Sequence, residues 1–443
     1  MIMNKPTIVI LAGGKNSRFF PLNTETHKGF LSIAGKPLIL RALENLKAHD
    51  FAIKGTDEKI IIVVSQKDFD GKGIDKYLKD NDIANKLQLN IQLVLQKNAK
   101  GMGDALLAVK DYFPETSNNS FILSSPYHIN LGEIAQELWQ KKQSSGASCV
   151  LSATQTESPE IYGVLNLNPN NFEKVFGITE KPETIVQSDN DKESVKYFKV
   201  NSVYLFDNNF AKELLKTPEE EYSLETAITN YAKKTQITWL ENTTENFSLK
   251  YPWQLFNAFE KIMHQEKTSI SENAKISKTA IIDDSDGPVI IEDTAEIGDY
   301  TKIVGPCYIG KNVFVGDFSF IRGSSIEEYS TIGANTEVAR CILFENVTIH
   351  FGYISDSILG SSTRVGAGLI TANKRFDRKC VKVKIKDKMI DSKQEALGII
   401  TGNNVQIGIR TNTMPGVLIG ENSSLYPGLT IGENIKENEI IKK

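Results

Sequence analysis

The sequence is poor in the residues that build metal frameworks and has no pattern that crosses membranes. Of its 443 residues only 4 are cysteine and 5 are histidine. Cys149, Cys307, Cys341 and Cys380 stand far apart with no CxxC pair. That argues against a zinc or disulfide framework and reads as buried or free thiols in a reducing compartment. No run approaches the ~20 apolar residues of a membrane span. Met1 to Pro6 offers neither the apolar stretch nor the cleavage site of a signal peptide. The formal net charge is -4 with 24% charged residues, so there is no basic excess for nucleic acid or a lipid surface. These absences predict a cytoplasmic protein with no nucleic-acid and no membrane partner. The length allows two or three domains with ample cores.

What is present falls into two textures. Up to about residue 245, apolar strand-like runs at 7–11, 59–65, 88–96, 120–124 and 147–154 alternate with helix-period stretches near 38–48, 74–80, 103–112 and 131–143. That alternation predicts a mostly parallel sheet covered on both faces, with ligands beyond the carboxyl ends of the strands. The first strand empties into "LAGGKNSRFFPLNTETHK", which carries Gly13, Gly14, Arg18 and Lys28. Glycines allow close approach of a ligand, their N–H groups can line an anion, and the two cations add fixed charge. The loop lacks both the Gly-Lys-Ser/Thr of a P-loop and the third glycine of a dinucleotide fingerprint. A tight strand-to-helix turn explains it equally well on its own.

Residues 246–268 read as a connector helix, and from Ser269 the texture changes. Aliphatic residues recur every sixth position at Ile291, Ile297, Ile303, Ile309, Val315 and Ile321, and again at Ile326, Ile332 and Val338. The spacing returns at Ile407, Ile419, Leu425 and Ile431, with Thr413 on the missing rung. A six-residue period fits neither a helix nor an ordinary strand, but suits a parallel β-helix with one hexapeptide per side. The repeat is interrupted at residues 373–396. Between Lys374 and Lys388 that stretch holds eight Lys or Arg against two Asp. It reads either as an edge strand kept soluble by lysine or as a loop facing an anion such as a coenzyme A phosphate.

An α/β half followed by a hexapeptide β-helix resembles the sugar-1-phosphate nucleotidylyltransferases with an acyltransferase-like tail. The likeness is greatest to the bifunctional N-acetylglucosamine-1-phosphate uridylyltransferase/glucosamine-1-phosphate N-acetyltransferases, archaeal-type members included. It covers essentially the whole chain. The resemblance implies a Rossmann-like nucleotidyltransferase domain over 1–245 and a left-handed β-helix over 269–443. It implies that Leu11, Ala12, Gly13 and Gly14 hold a nucleoside triphosphate such as UTP, with Arg18 and Lys28 as catalytic cations. Asn16 stands where the family has a glycine, and Gly29 where it has proline. "QKNAKGMGDA" is similar to the base-reading segment, through Gln96 and Gly101. "YGVL", "EKP" and "VNSVYLF" supply Gly163, Glu180, Lys181 and Asn201, which the resemblance assigns to the sugar-1-phosphate.

The family also uses Mg²⁺, held by two aspartates. Ser125 and Pro126 stand at the first of those places and Ser248 at the second, so the metal site is unassigned, and Asp104 reads either as a replacement ligand or, more simply, as a solvated loop carboxylate. In the second half, "HFGYISDSILGSSTRVGAGLITAN" is similar to the acetyltransferase signature. It implies His350 as the base that takes the sugar amine proton during attack on acetyl-CoA, as suits a side chain that titrates near neutrality. Tyr353, Arg364, Gly366, Ala367, Gly368 and Asn373 line the same site in this resemblance, with Arg364 and Lys374 departing from the family's residue types. A competing reading remains for His350, since residue 350 also follows Ile332, Val338 and Phe344 at six-residue steps and could fill a coil corner. The resemblance further implies a homotrimer with acyl-CoA between neighbouring coils. The expected function is synthesis of a nucleotide sugar, UDP-N-acetylglucosamine. Acetyl transfer alone and a non-catalytic nucleotide-sugar sensor are the alternatives.

Overall fold

A computed structural model describes residues 5–14, 16–22, 27–97, 101–112, 120–168, 171–182, 196–218, 220, 222–242 and 249–442. Ser248 lies outside them. The chain divides into two compact units: Met1–Lys15 with Leu38–Ser248, and Asn16–Pro37 with Leu249–Lys443. The assignment of 16–37 to the second unit differs from the single boundary expected near residue 245. A local sequence pattern cannot show where a loop segment packs.

The first unit is built on strands β1 (Thr7–Ala12), β4 (Ile60–Val64), β5 (Ile91–Leu95), β6 (Ser120–Ser124), β7 (Cys149–Thr156), β10 (Tyr197–Asp207) and β11 (Ile237–Glu241). The numbers β2 (Ser32–Ile33) and β3 (Lys36–Pro37) belong to a hairpin of the second unit. A further hairpin, β8 (Gly163–Asn168) with β9 (Asn171–Glu180), joins the sheet through β10. The order is β11-β7-β10-β6-β1-β4-β5. Strands β6, β1, β4 and β5 run parallel, whereas β10 lies antiparallel between β6 and β7. Every residue of β4 and β6 is buried, as expected of central strands covered on both faces. Helices α1 (Leu38–Ala48) and α5 (Leu131–Ser145) pack against each other. Leu38, Ile39, Ala42, Leu43 and Leu46 of α1 are inside. Gly146, at φ 66°, ends α5 in the left-handed conformation that glycine adopts without steric cost. The strand-like runs read from the sequence do not include the hairpin or β10, although β10 carries four consecutive buried apolar residues at 203–206.

In the second unit the six-residue period is realised as three parallel sheets of eight, nine and eight strands, stacked into a β-helix. The expected rung residues, from Ile291 to Ile431, form one continuous buried core. A single coil could not bury such a face, so stacking supplies the stability. Past Val338 the frame shortens: the inward rungs are Leu343, Ile349, Ile354, Leu359 and Val365. Residue 344 is therefore not a rung, and neither is 350. At one set of corners the left-handed residues are Asn312, Asn346, Asn404, Asn422 and Asn438, with Thr294, Tyr329 and Ser362 on the remaining coils. Asparagine tolerates this conformation, and Asn404 donates to Asn422, which donates to Asn438, each at 3.2 Å.

The three faces differ outside. On the second face the residue before the inward rung is mostly polar, as in Glu296-Ile297, Thr331-Ile332 and Gln406-Ile407, and on the third polar residues such as Lys302 and Glu337 alternate with Phe320, Tyr353 and Ile370. On the first face it is Ile342, Ile358, Ile400 or Leu418, and each of these is fully buried. This face is thus covered, while the others carry a solvated surface. The basic interruption at 373–396 holds a hairpin, 382–385 with 388–391, whose Lys382 and Lys384 are exposed while Val383 and Ile385 are buried.

Candidate functional site

Four parallel strands of the first unit end together, and their loops bring three of the expected nucleotide residues into contact. Gln96 follows β5 and is buried. Its side-chain oxygen lies against Gly13, where a Cβ would come within 2.0 Å of it. Its amide donates to Asp104 at 2.6 Å and to the Gly101 carbonyl at 3.4 Å. Gly101 holds φ 136°, a conformation open in practice only to glycine, and caps α4 (Met102–Leu107). Residues 98–100 of this segment lie outside the described residues. Leu11 and Ala12 close β1, and Gly14 is exposed beside them.

The sugar residues line the neighbouring hairpin and β10. Gly163 pairs with Glu180 across β8 and β9, and a Cβ on Gly163 would meet the Glu180 carboxylate at 2.3 Å. Lys181, in the left-handed region at φ 46°, donates from Nζ to the Tyr222 hydroxyl at 3.0 Å. Asn201 is buried on β10 and donates to Thr154 at 2.8 Å and Ser152 at 3.2 Å. A carboxyl not anticipated joins them. Glu225 of α7 (Ser223–Ala232) is buried, and burial pushes it up to about 7, with the nearby Glu180 charge adding to the shift. "SLETAI" reads as an ordinary amphipathic helix, so the sequence carried no signal for it.

The donor set at the end of β6 does not suit Mg²⁺. Ser124, Ser125 and Pro126 bring no carboxylate, and Ser124 Oγ instead donates to the Ser125 carbonyl at 3.2 Å. The Asp104 carboxylate is engaged by Gln96. Among the described residues no three His, Cys, Asp or Glu side chains gather into a metal site.

Arg18 and Lys28 belong to the second unit. Asn16 adopts φ 50°, which is why an asparagine can replace glycine there. Arg18 is exposed. Lys28 begins a 3₁₀ turn whose Gly29 N–H donates to the buried His27 Nδ1 at 3.1 Å. Its ammonium donates to the Leu249 carbonyl. Burial, then the positive charges of Arg18 and Lys250, push the Lys28 amine down to about 7.

On the β-helix, Ile349 fills the core and His350 is exposed at the following corner. The reading of His350 as a coil filler is thereby corrected: the short step between 338 and 343 turns it outward. Its N–H donates to the Val365 carbonyl at 2.9 Å, which stacks this corner directly on the Gly366–Ala367–Gly368 turn. Gly368, at φ 84°, donates to the Phe351 carbonyl at 2.8 Å. Arg364 is exposed on the strand beside Thr348, and Tyr353 is half-buried beside Glu337 and Ile370. Asn373 is anchored by Asp356, to which it donates at 2.6 Å. The Arg340 guanidinium grips the same carboxylate through two bonds of 2.6 and 2.7 Å. Burial opposes the Asp356 charge, but the hydrogen bonds from Arg340 and Asn373 prevail and hold its carboxyl below the ordinary range. Lys374 next to it is exposed.

Two family models match: Nucleotidyl transferase over residues 7–244, and Bacterial transferase hexapeptide (six repeats) over 288–323. The chain is 30% identical over 417 residues to the bifunctional sugar-1-phosphate nucleotidylyltransferase/acetyltransferase of Sulfurisphaera tokodaii, covering 92% of both chains. It is 29% identical over 411 residues to the bifunctional protein GlmU of Methanococcus maripaludis, covering 92% of this chain and 90% of that one. A GlmU of Caldicellulosiruptor saccharolyticus is 24% identical, with 83% of each chain covered. This protein belongs to the nucleotidyl transferase family, on a chain that continues into a hexapeptide-repeat transferase domain.

Proposed function

We propose that this transferase makes UDP-N-acetylglucosamine by two group transfers. In the first, the amine of glucosamine-1-phosphate attacks the thioester carbonyl of acetyl-CoA. An N–C bond forms, the C–S bond breaks, and His350 takes the amine proton and returns it to the departing thiolate. Tyr353, Arg364, Ala367 and Asn373 line that site. In the second, a phosphate oxygen of the sugar attacks the α-phosphorus of UTP and pyrophosphate leaves. Arg18 and Lys28 would hold the charge that grows on the phosphoryl oxygens. Leu11, Ala12, Gly13, Gly14, Gln96 and Gly101 would hold the nucleotide, and Gly163, Glu180, Lys181 and Asn201 the sugar-1-phosphate.

The observation that carries this reading is the exposed His350 corner, stacked on a glycine turn and followed by an Asn373 fixed through Asp356. The test is to incubate the pure protein with acetyl-CoA and glucosamine-1-phosphate, and separately with UTP and N-acetylglucosamine-1-phosphate, scoring each half-reaction. The carboxylate-poor end of β6 favours a second reading, acetyl transfer alone, which predicts product in the first mixture only.

A homotrimer fits the same function. Tyr300, Phe318, Phe351, Ile409 and Tyr426 are exposed at corners of several coils of the β-helix, and the rings of Tyr300 and Phe318 stack at 5.2 Å. An apolar series of this kind is what a packed partner would cover. Light scattering should give three times the chain mass at micromolar concentration, and a stable monomer would remove this claim. Within such an assembly we place the protein in the cytoplasm, and no described helix is long and apolar enough to cross a membrane.

A further inference from the structure

The segment bearing Arg18 and Lys28 is held by the β-helix, and the hold is specific. After Lys28 the chain forms the β2–β3 hairpin, whose turn residues Ala34 and Gly35 have φ of 49° and 79°. Both turn N–H groups are captured by the first face of the β-helix. Ala34 donates to Ser325 Oγ at 3.1 Å, and Gly35 donates to Glu327 Oε2 at 3.0 Å. Ser325 Oγ in turn donates to Glu327 Oε1 at 2.7 Å, so both carboxylate oxygens are engaged. Ser325 and Glu327 are both buried. The Tyr308 hydroxyl lies so close that a Cβ on Gly35 would come within 2.2 Å of it. Before Lys28, the Pro21 carbonyl meets Gly402, where a Cβ would approach it to 2.9 Å. Lys28 therefore lies between two contacts with the β-helix, at Pro21 and at Ala34–Gly35, and Arg18 stands shortly before the first.

The repeat does not require a carboxylate here. Ile326 fills the inward rung, and Glu327 occupies the corner place that is glycine at Gly310, Gly360, Gly402 and Gly420, Phe344 on the next coil and a glutamate again only at Glu292. A buried carboxylate is costly unless its oxygens are hydrogen-bonded, and the partners shown come from the hairpin turn and Ser325. The segment so held carries Lys28, which is disfavoured as a cation by burial and then by the nearby positive charges of Arg18 and Lys250.

We propose that Glu327 and Ser325 are positioning residues for nucleotidyl transfer: within the second unit, they fix the segment that carries Arg18 and Lys28, the two cations assigned to that reaction above. This rests on the nucleotidyl-transfer reading above. The coupling runs one way, since neither residue belongs to the His350 corner.

The test uses full-length Glu327→Ala and Ser325→Ala, with both half-reactions, UTP binding by calorimetry and thermal melting measured on each preparation. Displacing catalytic groups by about 1 Å costs on the order of 100-fold in rate, so uridylyl transfer should fall roughly 10- to 100-fold in Glu327→Ala. Acetyl transfer should stay within about twofold, and Glu327→Gln, which keeps one acceptor, should recover part of the loss. If wild-type uridylyl turnover is too slow to score, weaker UTP binding in Glu327→Ala is the supporting result. Unchanged uridylyl transfer and UTP binding in both alanine variants would overturn the proposal, as would an equal fall of the two activities. Ser325→Ala keeps the test open should Glu327→Ala not fold. A wild-type protein that neither binds UTP nor transfers uridylyl overturns the underlying reading instead, and is distinguished because the failure precedes any substitution.

Discussion

In the first unit, candidate side chains are part of the wall they line. Gln96 is tied to Asp104, Asn201 to Ser152 and Thr154, and Lys181 to Tyr222. On the β-helix, His350 and Arg364 project from a backbone whose position is set by the inward rungs Ile349 and Val365. One site shares its residues with the fold, and the other is mounted on a fold that does not need them. The lesson is that substitutions should couple activity to stability in the first unit and separate them on the β-helix.

The largest effect should come from His350→Ala. Loss of a general base typically costs on the order of 100- to 10,000-fold, and acetyl transfer should fall by that much with the thermal midpoint unchanged. Near-wild-type turnover would make His350 a bystander. Asn201→Ala should behave differently. Removing a buried hydrogen-bonding side chain costs about 1–3 kcal/mol, so uridylyl transfer and stability should fall together. A variant that lost activity at full stability would break the contrast.

A smaller, opposite change tests the missing carboxylates. Pro126→Asp combined with Ser248→Asp should raise Mg²⁺-dependent uridylyl transfer, by roughly tenfold if the ion is then held near the phosphates. Strong wild-type turnover that chelation abolishes would show that other ligands serve. The smallest effect concerns pH. With Lys28 at about 7, only about a tenth of it is charged at about pH 8, so kcat/KM for uridylyl transfer should drop about fivefold between about pH 7 and 8. The folded protein sheds a proton that the unfolded chain keeps up to the ordinary lysine value of 10.5. This group therefore makes stability rise with pH across that window, and Lys28→Met should flatten both trends.

Much of the architecture could be read from residue order. The runs at 120–124 and 38–48 match β6 and α1 at both ends, and the rung residues from Ile291 to Val338 all proved inward. Burial with a fixed period is a local signal, because each repeat meets the same environment. The reactive groups were legible only as types. Whether His350 faces the core depends on one shortened step near residue 343, which makes Ile349 the inward residue in its place. Whether Asp104 is open to a metal depends on how its own segment folds back, so that Gln96 reaches its carboxylate. The place of Asn16–Pro37 depends on Ser325 and Glu327, some three hundred positions away. Periodic burial is written along the chain; contacts between distant loops arise only when folding brings their donors and acceptors within 3 Å or so.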